Sequence, residues 1–198
     1  MIFPRKLIFI VLFFLSCKSL DAVEPDLIES DSDISNQVLE ENKEIKELKI
    51  NYRANKDGFV ENFKDWNLYK TKVGSADVCY ILSIPIENTE SIIDRGEPYY
   101  VVTKIADDAD EITASSGFMY RKNSDAEISF GSRKFYLFTY RAIAWAYNKN
   151  DDIEIIKEMQ NSDDFIITSY NRSGKIIGDR YSLIGFNKAY IKLKEICK

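Results

Sequence analysis

A mainly β, antiparallel fold is what this sequence predicts, and three observations predict it. Twelve tyrosines, twelve phenylalanines and two tryptophans make 13% of the 198 residues aromatic. Such side chains suit a pleated, half-buried surface better than a helical bundle. From Trp66 onward, short apolar or alternating runs recur at regular intervals, with Gly, Asp, Asn and Ser between them, the pattern of strands joined by turns. One break, Arg172-Ser173-Gly174-Lys175, reads as a hairpin in which Gly174 is free to take a positive φ. Strands this short and numerous argue for an antiparallel sandwich or barrel. The length suffices for one such core with appendages, not two.

The elements follow in chain order. Arg5 and Lys6 precede an apolar run from Leu7 to Leu15, the form of a signal peptide over residues 1–22. The run is too short to span a bilayer, which takes about 20 residues. Leu20-Asp21-Ala22 suits cleavage before Val23, whereas Phe14-Leu15-Ser16-Cys17 suits lipoprotein processing with a lipid on Cys17. The two routes stay open, and either delivers the mature chain to an oxidising space. Residues 23–58 form an acidic spacer, with nine acids against three lysines between 23 and 51. That composition buries too little apolar surface to fold. Within it, residues 35–52 place Val38, Leu39, Ile45 and Leu48 among Glu and Lys, a short amphipathic helix that is marginal alone.

The domain spans 59–198. Its strands are expected at Trp66–Thr71, Val78–Ile84, Tyr99–Ile105, Glu111–Ser116, Ala126–Phe130, Lys134–Tyr140, Ile143–Tyr147, Phe165–Asn171 and Lys175–Tyr181. A helix near 151–161 is capped by Asp151 or Asp152 and turns Ile153, Ile156 and Met159 inward;. A C-terminal helix near 182–196 opens at Ser182. Its inward face carries Leu183, Phe186, Tyr190, Leu193 and Cys197 at offsets of three and four;.

Composition excludes much chemistry. There is no histidine, so Ser-His-Asp and Cys-His sites and imidazole metal ligands are absent. No metal, cofactor or catalytic residue is expected. The net charge of −5 belongs to the N-terminal segment, and the domain is nearly neutral, without the basic footprint of a nucleic-acid binder. Cys79 and Cys197 are the only cysteines beyond Cys17. With no activating histidine or CxxC motif in an oxidising space, they read as a structural disulfide. Asp107, Asp108, Asp110 and Glu111 read as a solvated loop. Asp179 reads as a structural polar group fixing the entry to the last helix, and Trp66 and Trp145 as core.

Several short pieces in register carry a resemblance. They are Trp66; Val78-Cys79-Tyr80 with Ser83 and Pro85; Arg95-Gly96-Glu97-Pro98-Tyr99; Gly117 with Tyr120; Phe135-Tyr136-Leu137-Phe138; Ala144-Trp145-Ala146; Arg172-Ser173-Gly174; and Asp179-Arg180-Tyr181-Ser182-Leu183-Ile184-Gly185-Phe186 with Cys197. In that order and spacing the chain resembles the invasion-associated locus B family of bacterial cell-envelope proteins, from about Phe59 to Cys197. Members often carry further cysteines after the first tryptophan and in mid-domain; this chain has none there. The resemblance implies an immunoglobulin-like antiparallel β-sandwich, with Trp66, Trp145, Arg172, Gly174, Asp179, Tyr181, Ser182, Gly185 and Phe186 as its structural motif. It further implies an exported, periplasmic or outer-envelope location. The function it implies is a non-catalytic interaction module whose partner is an envelope or host protein, in host-cell invasion or attachment. The competing expectation is an envelope enzyme acting on cell-wall glycan through Asp or Glu. Two carboxylates sharing a concave pocket would favour the enzyme, and an exposed aromatic patch the module.

Overall fold

The computed structural model describes residues 58–73, 76–88, 95–105 and 110–197. The expected signal peptide, Cys17, the expected spacer up to residue 57 with the helix expected over 35–52, and Asp107 and Asp108 lie outside the described residues.

Eleven strands form one antiparallel sheet. They are β1 (Phe59–Phe63), β2 (Trp66–Val73), β3 (Ala76–Ser83), β4 (Glu87–Asn88), β5 (Tyr99–Ile105), β6 (Glu111–Ser115), β7 (Asp125–Phe130), β8 (Arg133–Tyr140), β9 (Ile143–Ala146), β10 (Asp164–Tyr170) and β11 (Ile176–Ser182). Among the described residues two helices accompany the sheet, α1 (Lys149–Met159) and α2 (Phe186–Ile196). The mainly β architecture with two short helices is the expected one. Its two layers are halves of one continuous sheet, ordered β1-β2-β3-β5-β6-β9-β8-β7-β10-β11-β4.

The sheet curls because aromatic side chains from distant strands fill its interior. Tyr100 of β5 lies 4.8 Å from the ring of Phe165 on β10 and 5.9 Å from that of Tyr181 on β11. Trp66 on β2 is fully buried, and its indole N–H donates to the Ser182 carbonyl across the layers at 3.0 Å. A buried Trp needs such a partner for its one polar atom. The bridge between Cys79 on β3 and Cys197 after α2 is present, with Cα atoms 5.8 Å apart, and ties the end of the last helix to an early strand.

Nine strands fall where alternation and turn residues place them. The Arg172-Ser173-Gly174-Lys175 turn forms as expected: Gly174 has φ 85°, its N–H donates to the Asn171 carbonyl, and Asn171 Oδ1 accepts from the Lys175 N–H. β1 and β4 are additions. β1 is almost wholly exposed and β4 has two residues, so neither shows a buried face for periodicity to reveal.

Both helix starts require correction. Asn148, not Asp151 or Asp152, caps α1 by accepting from the Asn150 and Asp151 N–H groups. Asp152 is buried and accepts from the Ile112 N–H at 3.0 Å, fixing α1 to β6. Ile156 and Met159 face inward with Ile155, whereas Ile153 is exposed. Ser182 does not open the last helix, because it is still paired with Asp164 in the β10–β11 ladder. Its hydroxyl accepts from the Ile184 N–H, and α2 begins after Gly185, which has φ 94° and makes no side-chain cap. A Cβ at Gly185 would overlap the Phe63 carbonyl oxygen. Gly185→Ala is therefore expected to cost more than about 1–2 kcal/mol, the cost of the left-handed conformation alone, read as a lower urea midpoint.

Candidate interaction surface

The β8–β9 hairpin separates large from small residues by face. Leu137, Ala144 and Ala146 point into the core and are fully buried. Alternation then sends Tyr136, Phe138 and Tyr140 of β8, with Ile143 and Trp145 of β9, to the outer face. Phe138 stands opposite Trp145 in the ladder and stacks on it at 5.2 Å, and Tyr147 lies 5.7 Å from the same ring. Tyr136, Tyr140 and Tyr147 remain 53%, 59% and 47% exposed, so about half of each ring faces solvent. A contiguous aromatic face of this kind marks an interaction site more often than a lone exposed residue does. Tyrosine combines large contact area with few rotatable bonds, which lowers the entropic cost of binding.

A depression of about 390 Å³ opens beside this face, lined by Asp125, Phe135, Tyr136, Tyr147 and Asp151. Tyr147 Oη donates to Asp125 Oδ1 at 2.6 Å, and that bond to a carboxylate pushes the phenol up to about 12. Asp151 accepts from Asn148 Nδ2 at 2.8 Å. A second depression, of about 480 Å³, holds Glu87, Asp164 and Arg180. There the guanidinium bridges both carboxylates, at 3.3 and 2.6 Å.

Apart from Trp145, the sequence motif residues lie elsewhere. Trp66, Tyr181 and Phe186 join the core around Tyr100. Arg172 and Gly174 sit at the tip of the β10–β11 hairpin, far along the chain's ladder from Ser182 and Gly185. Asp179 is structural, but not as a fixture of the helix entry. It is fully buried on β11 and pairs with the Arg95 guanidinium, which is only 6% exposed. Arg95 Nε also donates to the Ser116 carbonyl at 2.7 Å, and its guanidinium lies 5.6 Å from the centre of the Phe118 ring. Burial raises the Asp179 carboxyl above its ordinary value, and Arg95 only partly offsets this. Asp110 is tied down rather than free in a loop: it accepts from Tyr190 Oη at 2.5 Å and lies 3.7 Å from Lys104 Nζ.

Neither a family model nor a curated protein sequence matches the chain. A solved structure does. The fold is similar to that of invasion associated protein B from Bartonella henselae. The two superpose with a TM-score of 0.50 over 69% of this chain and 95% of the other, at 11% sequence identity. At that identity the likeness is one of fold, and it is the fold that the resemblance to the invasion-associated locus B family implies. No helix among the described residues is long and apolar enough to cross a membrane.

Trp145 corrects the expectation that both tryptophans are core. It lies on the face opposite Trp66, so the two share no platform. The aromatic face was missed, although its signal is in the sequence. Tyr136, Phe138 and Tyr140 alternate with Phe135, Leu137 and Thr139, and a strand cannot bury both faces at a hairpin whose inner layer is already filled by Leu137 and two alanines.

Proposed function

We propose that this chain is an exported envelope protein that acts as a non-catalytic protein-interaction module. It presents the outer face of β8 and β9 to an envelope or host protein, in attachment to or invasion of a host cell. The observation that carries this reading is the exposed aromatic face. Likeness of fold to invasion associated protein B, and the charged and apolar run at residues 5–15, support the setting.

The glycan hydrolase is the second reading, favoured by the two carboxylates of the Asp125–Asp151 depression. Such an enzyme needs one carboxyl kept protonated by an apolar pocket. Asp125 instead accepts a hydrogen bond from Tyr147 and is exposed. Asp179 is buried with a raised carboxyl, but it lines neither depression and faces Arg95.

A photoactivatable phenylalanine analogue in place of Tyr140 tests the proposal in growing cells. Illumination is expected to give a crosslinked protein adduct in the envelope fraction, absent when the analogue replaces Arg172 at the hairpin tip. No adduct at position 140 would overturn the module. So would peptidoglycan turnover by the purified chain that Asp125→Asn abolishes.

A further inference from the structure

The aromatic face has a charged end, and that end specifies what it takes. Asp125 and Asp151 share the depression with Phe135, Tyr136 and Tyr147. Each carboxylate has a neutral donor, the Tyr147 hydroxyl and the Asn148 amide. Neither has a lysine or arginine partner among the described residues. Carboxylates nearby do. Glu127 holds Lys134 at 2.9 Å, and Glu154 and Glu158 hold Arg133 at 2.9 and 2.7 Å. Lys134 and Arg133 are therefore already engaged with carboxylates, and the two carboxylates of the depression hold neutral donors rather than a cation.

We infer that the protein partner inserts an arginine side chain into the Asp125–Asp151 depression, while apolar residues flanking that arginine lie on the Tyr136, Phe138, Tyr140 and Trp145 face. The chemistry is that of a guanidinium. A planar cation stacks on tyrosine rings and donates in pairs to carboxylates. Two negative charges unpaired beside half-exposed aromatics offer both contacts at once. The depression, about 390 Å³ in size, falls within the range of small-ligand pockets, roughly 300–1,000 Å³. A neutral apolar partner would cover Asp125 and Asp151 without a counter-charge, which costs affinity. A sequence-adjacent arginine with apolar neighbours removes that cost and fixes the register of the partner on the sheet.

This inference rests on the proposed interaction module, and its test separates the two. The full chain, labelled with 15N, is titrated with a blocked tripeptide, Val-Arg-Val, and with the same peptide carrying citrulline, which keeps the shape of arginine and removes the charge. The arginine peptide is expected to shift the amide signals of Asp125, Tyr136, Tyr147 and Asp151, and to bind at least tenfold more tightly than the citrulline peptide. The double variant Asp125→Asn/Asp151→Asn should erase that difference while its unfolding midpoint stays near that of the parent. Equal binding of the two peptides, or a preference that survives the double variant, overturns the arginine pocket. If that happens while the Tyr140 crosslink persists, the interaction face stands and only its cationic anchor falls. If the crosslink is lost as well, the module itself falls.

Discussion

Cys197→Ser is expected to reduce the free energy of unfolding by as much as about 5 kcal/mol, the chain-entropy value for a closed loop of this length. The bridge joins positions 118 residues apart, so its removal frees most of the domain in the unfolded state. Domains of this kind have total stabilities of about 5–15 kcal/mol, which makes this one bond a large share. The folded state loses as well. Cys79 and Cys197 are both fully buried, and the change leaves one thiol and one hydroxyl where a bridge had been. α2 then depends on Phe186, Ala189, Tyr190 and Leu193, which bury its inner face, and on Lys70 Nζ, which donates to the Ile196 carbonyl at 3.0 Å. Urea unfolding with and without reductant measures the effect. Reductant should bring the parent chain down to the level of the variant and leave the variant unchanged. A parent midpoint indifferent to reductant would show that the bridge contributes nothing.

The strands were legible because each obeys a local rule. Phe165, Ile167 and Ser169 alternate with exposed or half-buried neighbours, and Asn171 to Lys175 spell a turn. Helical spacing likewise found the inner face of α2. Starting points were less legible because capping competes with the ladder. Ser182 has the chemistry of an N-cap, yet its strand partner Asp164 holds it extended, and only the close approach of Gly185 to Phe63 reveals where the helix can begin. Partners distant in sequence were least legible of all. Nothing local to Asp179 points to Arg95, 84 residues away. Trp145 reads as core by composition, and only the pairing of β8 with β9 shows that its face is the outer one. A surface made by two strands becomes visible once their register is known, since one residue of slip would exchange it with the core.

Arg95→Ala is expected to cost about 3–5 kcal/mol near neutral pH, the penalty for leaving one member of a buried ion pair uncompensated. The cause is on the Asp179 side. That carboxylate is fully buried, and desolvation already raises its proton affinity in spite of Arg95. Without the guanidinium the shift grows further upward. A carboxyl whose folded-state value lies above its unfolded one contributes most below the unfolded value and loses that contribution as pH rises through the folded value. The deficit of Arg95→Ala should therefore be smallest near the ordinary aspartate value of 3.8, where the lone carboxyl is free to protonate, and should widen as pH rises. Asp179→Asn strands the cation instead. Arginine cannot shed its proton, so that deficit should show no comparable relief at low pH. The double change Arg95→Met/Asp179→Leu removes both charges from the interior, and apolar replacement of a buried pair is often neutral or stabilising. It should unfold later than either single variant. Urea midpoints of the three variants between pH 4 and 8 decide the matter, and a double variant as weak as Arg95→Ala would show that the guanidinium acts through its contacts with Ser116 and Phe118 rather than through Asp179.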